Sequence, residues 1–179
     1  MFIRHTSGLD KMVVGNCLGE KVDFNLAVLS AYCTCFGFGR LSLDEAFRLF
    51  LSTFMLPGEA QKIDRVVEAF SQAHYDQTNA SDNNQFRHPD VVYSWAFGVI
   101  MLNTDAHNSQ VKNKMTLAQF CKNMKGMNDK EYFPKQMLTD VFKSISEDDI
   151  VLLPLLAPMM ICLLFQFENW PIRFLQAST

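Results

Sequence analysis

Apolar and polar positions along most of this chain repeat at a helical spacing, and strand signals are scarce. Val22 to Cys33 sets Phe24, Ala27, Val28 and Ala31 on one stripe, which Gly37 and Gly39 interrupt. Ser42 opens the next helix with a capping box, its hydroxyl accepting from the third helical amide while Glu45 reaches back to the cap amide. Leu43, Ala46, Phe47, Phe50, Leu51 and Phe54 fill the buried stripe of that helix, and Pro57-Gly58 stops it. A third helix is predicted from about Glu59 to Tyr75, with Ile63, Val66, Val67 and Phe70 facing inward and Lys62, Arg65 and Glu68 outward.

The Asn/Asp-rich segment from Thr78 to Gln85 reads as a surface loop. Pro89 then suits a first helical turn, and DVVYSWAFGVIML is apolar on nearly every face, the mark of a buried central helix. Trp95, Val91 and Val99 are expected in the core. Asn103 to Asn113 reads as a polar turn. Thr116 and Gln119 form a second capping box for a helix ending at Gly126. The last regular helix begins near Pro134, with Met137, Leu138, Val141, Phe142 and Ile145 as its apolar face. The pattern shows no solenoid repeat, and the expected fold class is all-α.

From Ile150 to Phe167 the only polar side chain is Gln166, close to the ~18–20 apolar residues that span a bilayer. Pro154 and Pro158 interrupt helical bonding there. Three readings stand, in this order: a core-docking terminal segment, a marginal membrane tail, and a gene-model end replacing the native one. The expected division is a domain over residues 8–150 and an apolar tail over 151–179.

Composition narrows the function. The 179 residues suffice for one domain with a core. A net charge of -3, with scattered basic residues, argues against nucleic-acid binding. Cys17, Cys33, Cys35, Cys121 and Cys162 lack metal-ligand spacing and read as free thiols in a reducing compartment. The start, MFIRHTSGLDKM, has no apolar h-region, so a cytoplasmic location is expected.

Two stretches place polar groups against orderly apolar patterns. In LPGEAQKIDRVVEAFSQAHYDQ, Glu59 follows Pro-Gly, where free amides and the helix dipole favour a carboxylate whatever its role. In FGVIMLNTDAHNSQVKNKMT, an apolar helix runs straight into Asn103, Thr104, Asp105, His107 and Asn108. These read as a polar cap with its loop, and His107 equally as a satisfied loop histidine. No second histidine at ligand spacing supports a metal there.

LPGEAQKIDR and IMLNTDAHN, in this order and about forty residues apart, resemble the two signature motifs of the Sec-seven family of Arf guanine-nucleotide exchange domains. The resemblance runs from about Gly8 to about Ile150. It implies an all-α, right-handed superhelical array that lacks the family's first few helices. It also implies promotion of GDP release from an Arf-family small GTPase. By position, Glu59 matches the family's glutamic finger. Tyr93, Phe97, Ile100 and Met101 match a hydrophobic groove that holds the partner's switch regions. Asn103, Thr104, His107 and Asn108 match the polar loop, and Asp90 matches a position that meets a partner lysine. No cofactor is implied for this chain, because magnesium, GDP and GTP belong to the partner GTPase. The implied setting is vesicle trafficking, peripheral on Golgi, endosomal or plasma membranes.

Relatives sensitive to the fungal inhibitor brefeldin tend to carry Tyr-Ser where this chain has Phe97-Gly98, so insensitivity is expected. Two other readings remain beside catalysis: a truncated module that binds a GTPase without exchanging it, and a tail-anchored membrane adaptor resting on residues 150–167 alone.

Overall fold

The computed structural model describes residues 8–80, 86–125 and 133–151, and these hold seven α-helices, one 3-10 turn and no strand. They are α1 (Lys11–Leu18), α2 (Asp23–Thr34), the 3-10 turn (Phe38–Arg40), α3 (Leu43–Leu51), α4 (Ala60–Ala80), α5 (Pro89–His107), α6 (Leu117–Asn123) and α7 (Lys135–Glu147). The expected apolar tail lies outside the described residues except for Ile150 and Val151, and so do Gly126 and Cys162.

Both capping boxes form. Ser42 and Thr116 each accept from the amide three residues on, and Glu45 and Gln119 return the contact to the cap amides. The stripe predicted for α3 is buried, Phe47 and Phe50 completely. Its rings join Phe36, Phe38, Phe54, Phe70 and Trp95 in an aromatic core, with Phe38 edge-on to Phe70 at 5.3 Å and Phe47 edge-on to Trp95 at 6.0 Å. Such edge-to-face pairs align the positive ring rim with the negative face of a neighbour. Pro134 stands at the head of α7, whose Leu138, Val141 and Ile145 are buried as expected.

The two longest helices, α4 and α5, pair antiparallel. Tyr75 Oη donates to the Arg87 carbonyl at 2.9 Å, and the Tyr93 hydroxyl donates to Asp64 Oδ1 nearer the head of α4. The central helix is buried on almost every side, Val91, Trp95 and Val99 included.

Four expectations are corrected. On α2 the buried positions are Leu29, Tyr32 and Cys33, whereas Phe24 is 73% exposed. The stripe through Phe24 is therefore the outer one, and burial on the other face pushes the Cys33 thiol up to about 12. Helix α4 runs on to Ala80 because Thr78, buried, returns its hydroxyl to the His74 carbonyl at 2.9 Å, so a polar residue stays helical. Helix α5 continues through Asn103, Thr104 and Asp105, all buried, where a turn was expected. Lys62, assigned to the solvent face, is 8% exposed, its stem lying against Gly19.

Candidate functional site

Glu59 stands immediately before α4. Its carbonyl accepts from the amides of Lys62 and Ile63, both at 3.0 Å, which starts the helix. Its side chain is 69% exposed, and the carboxylate does not cap the helix but pairs with Lys62 Nζ at 2.9 Å. The same ammonium is 2.6 Å from Glu20 Oε1, in the turn that follows α1. Hydrogen bonds that the ammonium donates to Glu20 first and Glu59 second hold the lysine above its ordinary range. Arg65 Nε completes the link by donating to the Gly19 carbonyl at 2.8 Å.

The antiparallel register carries the head of α4 past Tyr93 toward the later turns of α5. Five residues separate Asp64 from Glu59, about 7.5 Å along a helix axis, which brings Glu59 toward the level of Phe97. Tyr93 is half-buried and packs its ring 4.8 Å from that of Phe97. Burial, then the neighbouring carboxylates with Asp64 foremost, pushes its phenol well above the usual range. Asp90 is exposed, with its carboxylate 3.0 Å from His88 Nδ1. It borders a shallow depression of about 270 Å³ shared with Asp64, Glu68, Gln72 and Tyr93. Asp64 was not singled out in the sequence, and Glu68 was placed there only on the outward face of its helix. Their spacing of four on a helix with an inward stripe was the available signal.

Below this surface the groove expectation divides. Phe97 is 7% exposed, Met101 3% and Ile100 0%. Ile100 is fully buried, on a helix buried on almost every side. Phe97 and Met101 reach the surface only at their edges.

The polar residues after Met101 are also accounted for internally. Asn103, 4% exposed, forms a two-way clamp on Ile150: Nδ2 donates to the Ile150 carbonyl at 2.9 Å, and Oδ1 accepts from the Ile150 amide at 2.8 Å. Thr104 Oγ1 donates to the Ile100 carbonyl at 2.9 Å. Asp105 Oδ2 accepts from the Met115 amide at 2.6 Å, and Lys114 Nζ ties down the carbonyls of Asp105 and Asn108 at 2.7 and 2.6 Å. His107 Nε2 lies 2.6 Å from the Ile145 carbonyl on α7. Asn103, Thr104 and His107 are thus engaged within the chain. Asn108 differs: Oδ1 accepts from the Gln110 amide at 3.0 Å, while Nδ2 is buried without a hydrogen-bond partner. Of the polar-loop residues among those described, it alone has a buried side-chain donor left unmatched.

Among the described residues no cluster of three or more His, Cys, Asp or Glu is placed to hold a metal. Cys17, Cys33, Cys35 and Cys121 are free thiols. No single helix there is long and apolar enough to cross a membrane, although α1 with the segment Asp23–Arg40 forms a pair bent by 113° that passes on length and composition.

The fold and this surface define an all-α domain that presents one exposed carboxylate at the head of its longest helix, above a packed antiparallel pair. The sequence profile of the Sec7 domain matches residues 1–150, and the chain belongs to that family. It is 44% identical over 149 residues to the ARF guanine-nucleotide exchange factor GNOM and 42% over 151 residues to the ARF guanine-nucleotide exchange factor GNL2, both of Arabidopsis thaliana. The matches cover 83% and 84% of this chain but only 10% and 11% of those proteins, so the chain spans about a tenth of their length. Among solved structures, the Sec7p catalytic domain superposes with a TM-score of 0.76 at 39% identity, over 83% of this chain and 76% of that one. A Sec7 domain bound to ARF1-GDP and brefeldin A superposes with a TM-score of 0.72 at 35% identity, over 80% and 70%. The superhelical arrangement expected from the motifs agrees with these neighbours.

Proposed function

We propose that this chain promotes release of GDP from an Arf-family small GTPase, with Glu59 as the side chain that dislodges the nucleotide. The observation that carries the reading is the placement of Glu59: 69% exposed, at the head of a 21-residue helix whose Ile63, Val66, Val67 and Phe70 are buried in the core. Support for the partner comes from relatives named as ARF exchange factors and from the Sec7 domain solved with ARF1-GDP.

Diphosphate in a GTPase is held by a magnesium ion and a phosphate-binding lysine, both supplied by the partner's site. A carboxylate brought there repels the β-phosphate, competes for the lysine and disfavours the metal. At an effective dielectric near 20, two unit charges about 4 Å apart interact by roughly 4 kcal/mol. Expressed fully in the barrier to release, that is about a thousandfold in rate. The step makes and breaks no covalent bond. Mounting the carboxylate on a packed helix limits the freedom lost on docking. Along the same helix pair, Tyr93, Asp90 and the edges of Phe97 and Met101 offer a mixed apolar and acidic surface on which a partner with displaced switch segments would be favoured.

The test is GDP release from a purified Arf-family GTPase by this chain and by its Glu59→Lys variant. Loss of acceleration is expected with the helical circular dichroism unchanged. Equal rates end the catalytic reading, and binding without acceleration by the unaltered chain identifies a non-catalytic module instead.

A further inference from the structure

We propose that Glu20 is a positioning residue for exchange, acting through Lys62 to keep the carboxylate of Glu59 negatively effective and free to leave; this rests on the assignment of Glu59 as the exchange residue.

The argument starts from an apparent conflict. A finger that works by negative charge lies 2.9 Å from an ammonium, and an isolated Glu59–Lys62 pair is neutral. Seen from a phosphate several ångströms away, such a pair acts as a dipole, and most of the repulsion is lost. Glu20 removes the conflict. Its carboxylate is nearer to the same nitrogen, at 2.6 Å, so the three side chains carry a net charge of one negative unit.

Burial gives the second half. The side chains of Lys62, Glu20 and Glu59 are 10%, 47% and 69% exposed. Lys62 cannot follow the finger outward, because its stem fills the space beside Gly19, where an added Cβ would lie 2.6 Å from Lys62 Cβ. When Glu59 advances into a docked partner, it leaves behind an ammonium with little access to water. An ammonium stripped of its partner in that setting resists the movement. Glu20 stays in place and keeps the lysine paired, which eases release of the finger. Both effects point the same way. Without Glu20, Lys62 has Glu59 as its remaining acidic partner, and the finger is both screened and held back.

The experiment measures release of a fluorescent GDP analogue from an Arf-family GTPase by the full chain, with kcat and KM separated. Glu20→Gln is expected to lower kcat, with KM held, by up to about fivefold, the range commanded by a partly exposed ion pair. Combining Glu20→Gln with Lys62→Met is expected to restore most of that loss, because the restraining ammonium is gone while its stem is replaced. A merely structural role for Glu20 predicts the opposite, a double variant no better than the single one. A parallel Glu59→Gln arm separates the two levels. If Glu59→Gln is slow while Glu20→Gln matches the unaltered chain, or the double variant stays as slow as Glu20→Gln, the role of Glu20 is overturned and that of Glu59 survives. If Glu59→Gln matches the unaltered chain, both fall.

Discussion

Asn103 lies in one of the two stretches that resemble the family's signature motifs, yet its side chain is hydrogen-bonded inside the fold, and replacing it separates the two meanings. Asn103→Ala deletes both hydrogen bonds to Ile150, at 2.9 and 2.8 Å, and leaves that residue's amide and carbonyl unpaired where it is only 6% exposed. Each lost bond is worth about 0.5–1.5 kcal/mol net, and each stranded buried group about 1–3 kcal/mol, so with partial relief by entering water the expected cost is about 2–4 kcal/mol. For a domain of this size each kcal/mol moves Tm by roughly 2–4 °C. The melting transition should therefore fall by roughly 5–15 °C by circular dichroism, with a matching drop in the urea midpoint. Asn103→Asp provides the control. It keeps the acceptor for the Ile150 amide but turns a carboxylate oxygen toward the Ile150 carbonyl, and it should be at least as damaging. If Asn103→Ala melts with the unaltered chain while GTPase binding is lost, the clamp is energetically idle and Asn103 belongs to the contact surface after all.

Other expectations follow from single contacts. His74 is 3% exposed, and burial lowers its pKa from 6.5 to about 4. Because the folded state takes up the proton less readily, stability is full above about pH 6.5 and falls as the pH drops toward 4, by on the order of 3 kcal/mol. His74→Leu should flatten that part of a stability–pH curve, and an unchanged slope would locate the acid sensitivity elsewhere, with Arg40, Asp44 and Asp140 lining the same cavity. At Gly15 an added Cβ would lie 1.8 Å from the Met55 carbonyl oxygen, a backbone atom, so Gly15→Ala should cost about 3 kcal/mol or more in denaturant unfolding. At Gly98 the obstacle, 2.4 Å away, is the sulfur of the flexible Met124, and the gain in helix propensity offsets it; Gly98→Ala should stay within about 1 kcal/mol of the unaltered chain. Exchange by this chain should be indifferent to brefeldin, and clear inhibition with Phe97-Gly98 in place would refute that.

The fold was legible wherever one local rule governed it. The two capping boxes, Pro134 at the head of α7 and the stripe of α3 need only neighbouring residues to be recognised. The failures were equally physical. On α2 two apolar faces compete, and only packing against α4 and α1, with the Tyr32 ring meeting Phe50 of α3, selects Leu29, Tyr32 and Cys33 over Phe24. Thr78 looked like loop composition, but a hydroxyl that bonds back four residues satisfies itself inside a helix. Lys62 fell on the polar side of its helix by period, and its burial depends on a glycine that lets the α1 turn approach closely.

The site shows why motif identity and side-chain role are separate questions. Glu59 stands within ten consecutive motif residues, but the lysine it pairs with is shared with Glu20, in a turn before α2, and Asn103 finds its partner 47 positions away. A polar residue in an apolar stretch therefore carries two opposite possibilities: it serves a partner molecule, or it completes a distant part of its own chain. The local pattern is the same in both cases, because either role keeps an amide or a carboxylate where hydrophobic burial alone would select leucine. Coordinates separate the two by asking which polar atoms are already matched. Asn103, Thr104, Asp105 and His107 have internal partners, whereas Glu59 keeps most of its side chain in solvent and Asn108 keeps a donor unused. On that criterion the first motif presents an exposed carboxylate, matched among the described residues by Lys62 alone. The second mainly builds the rigid end of α5 against α7, so substitutions there should register first in stability and only through it in exchange.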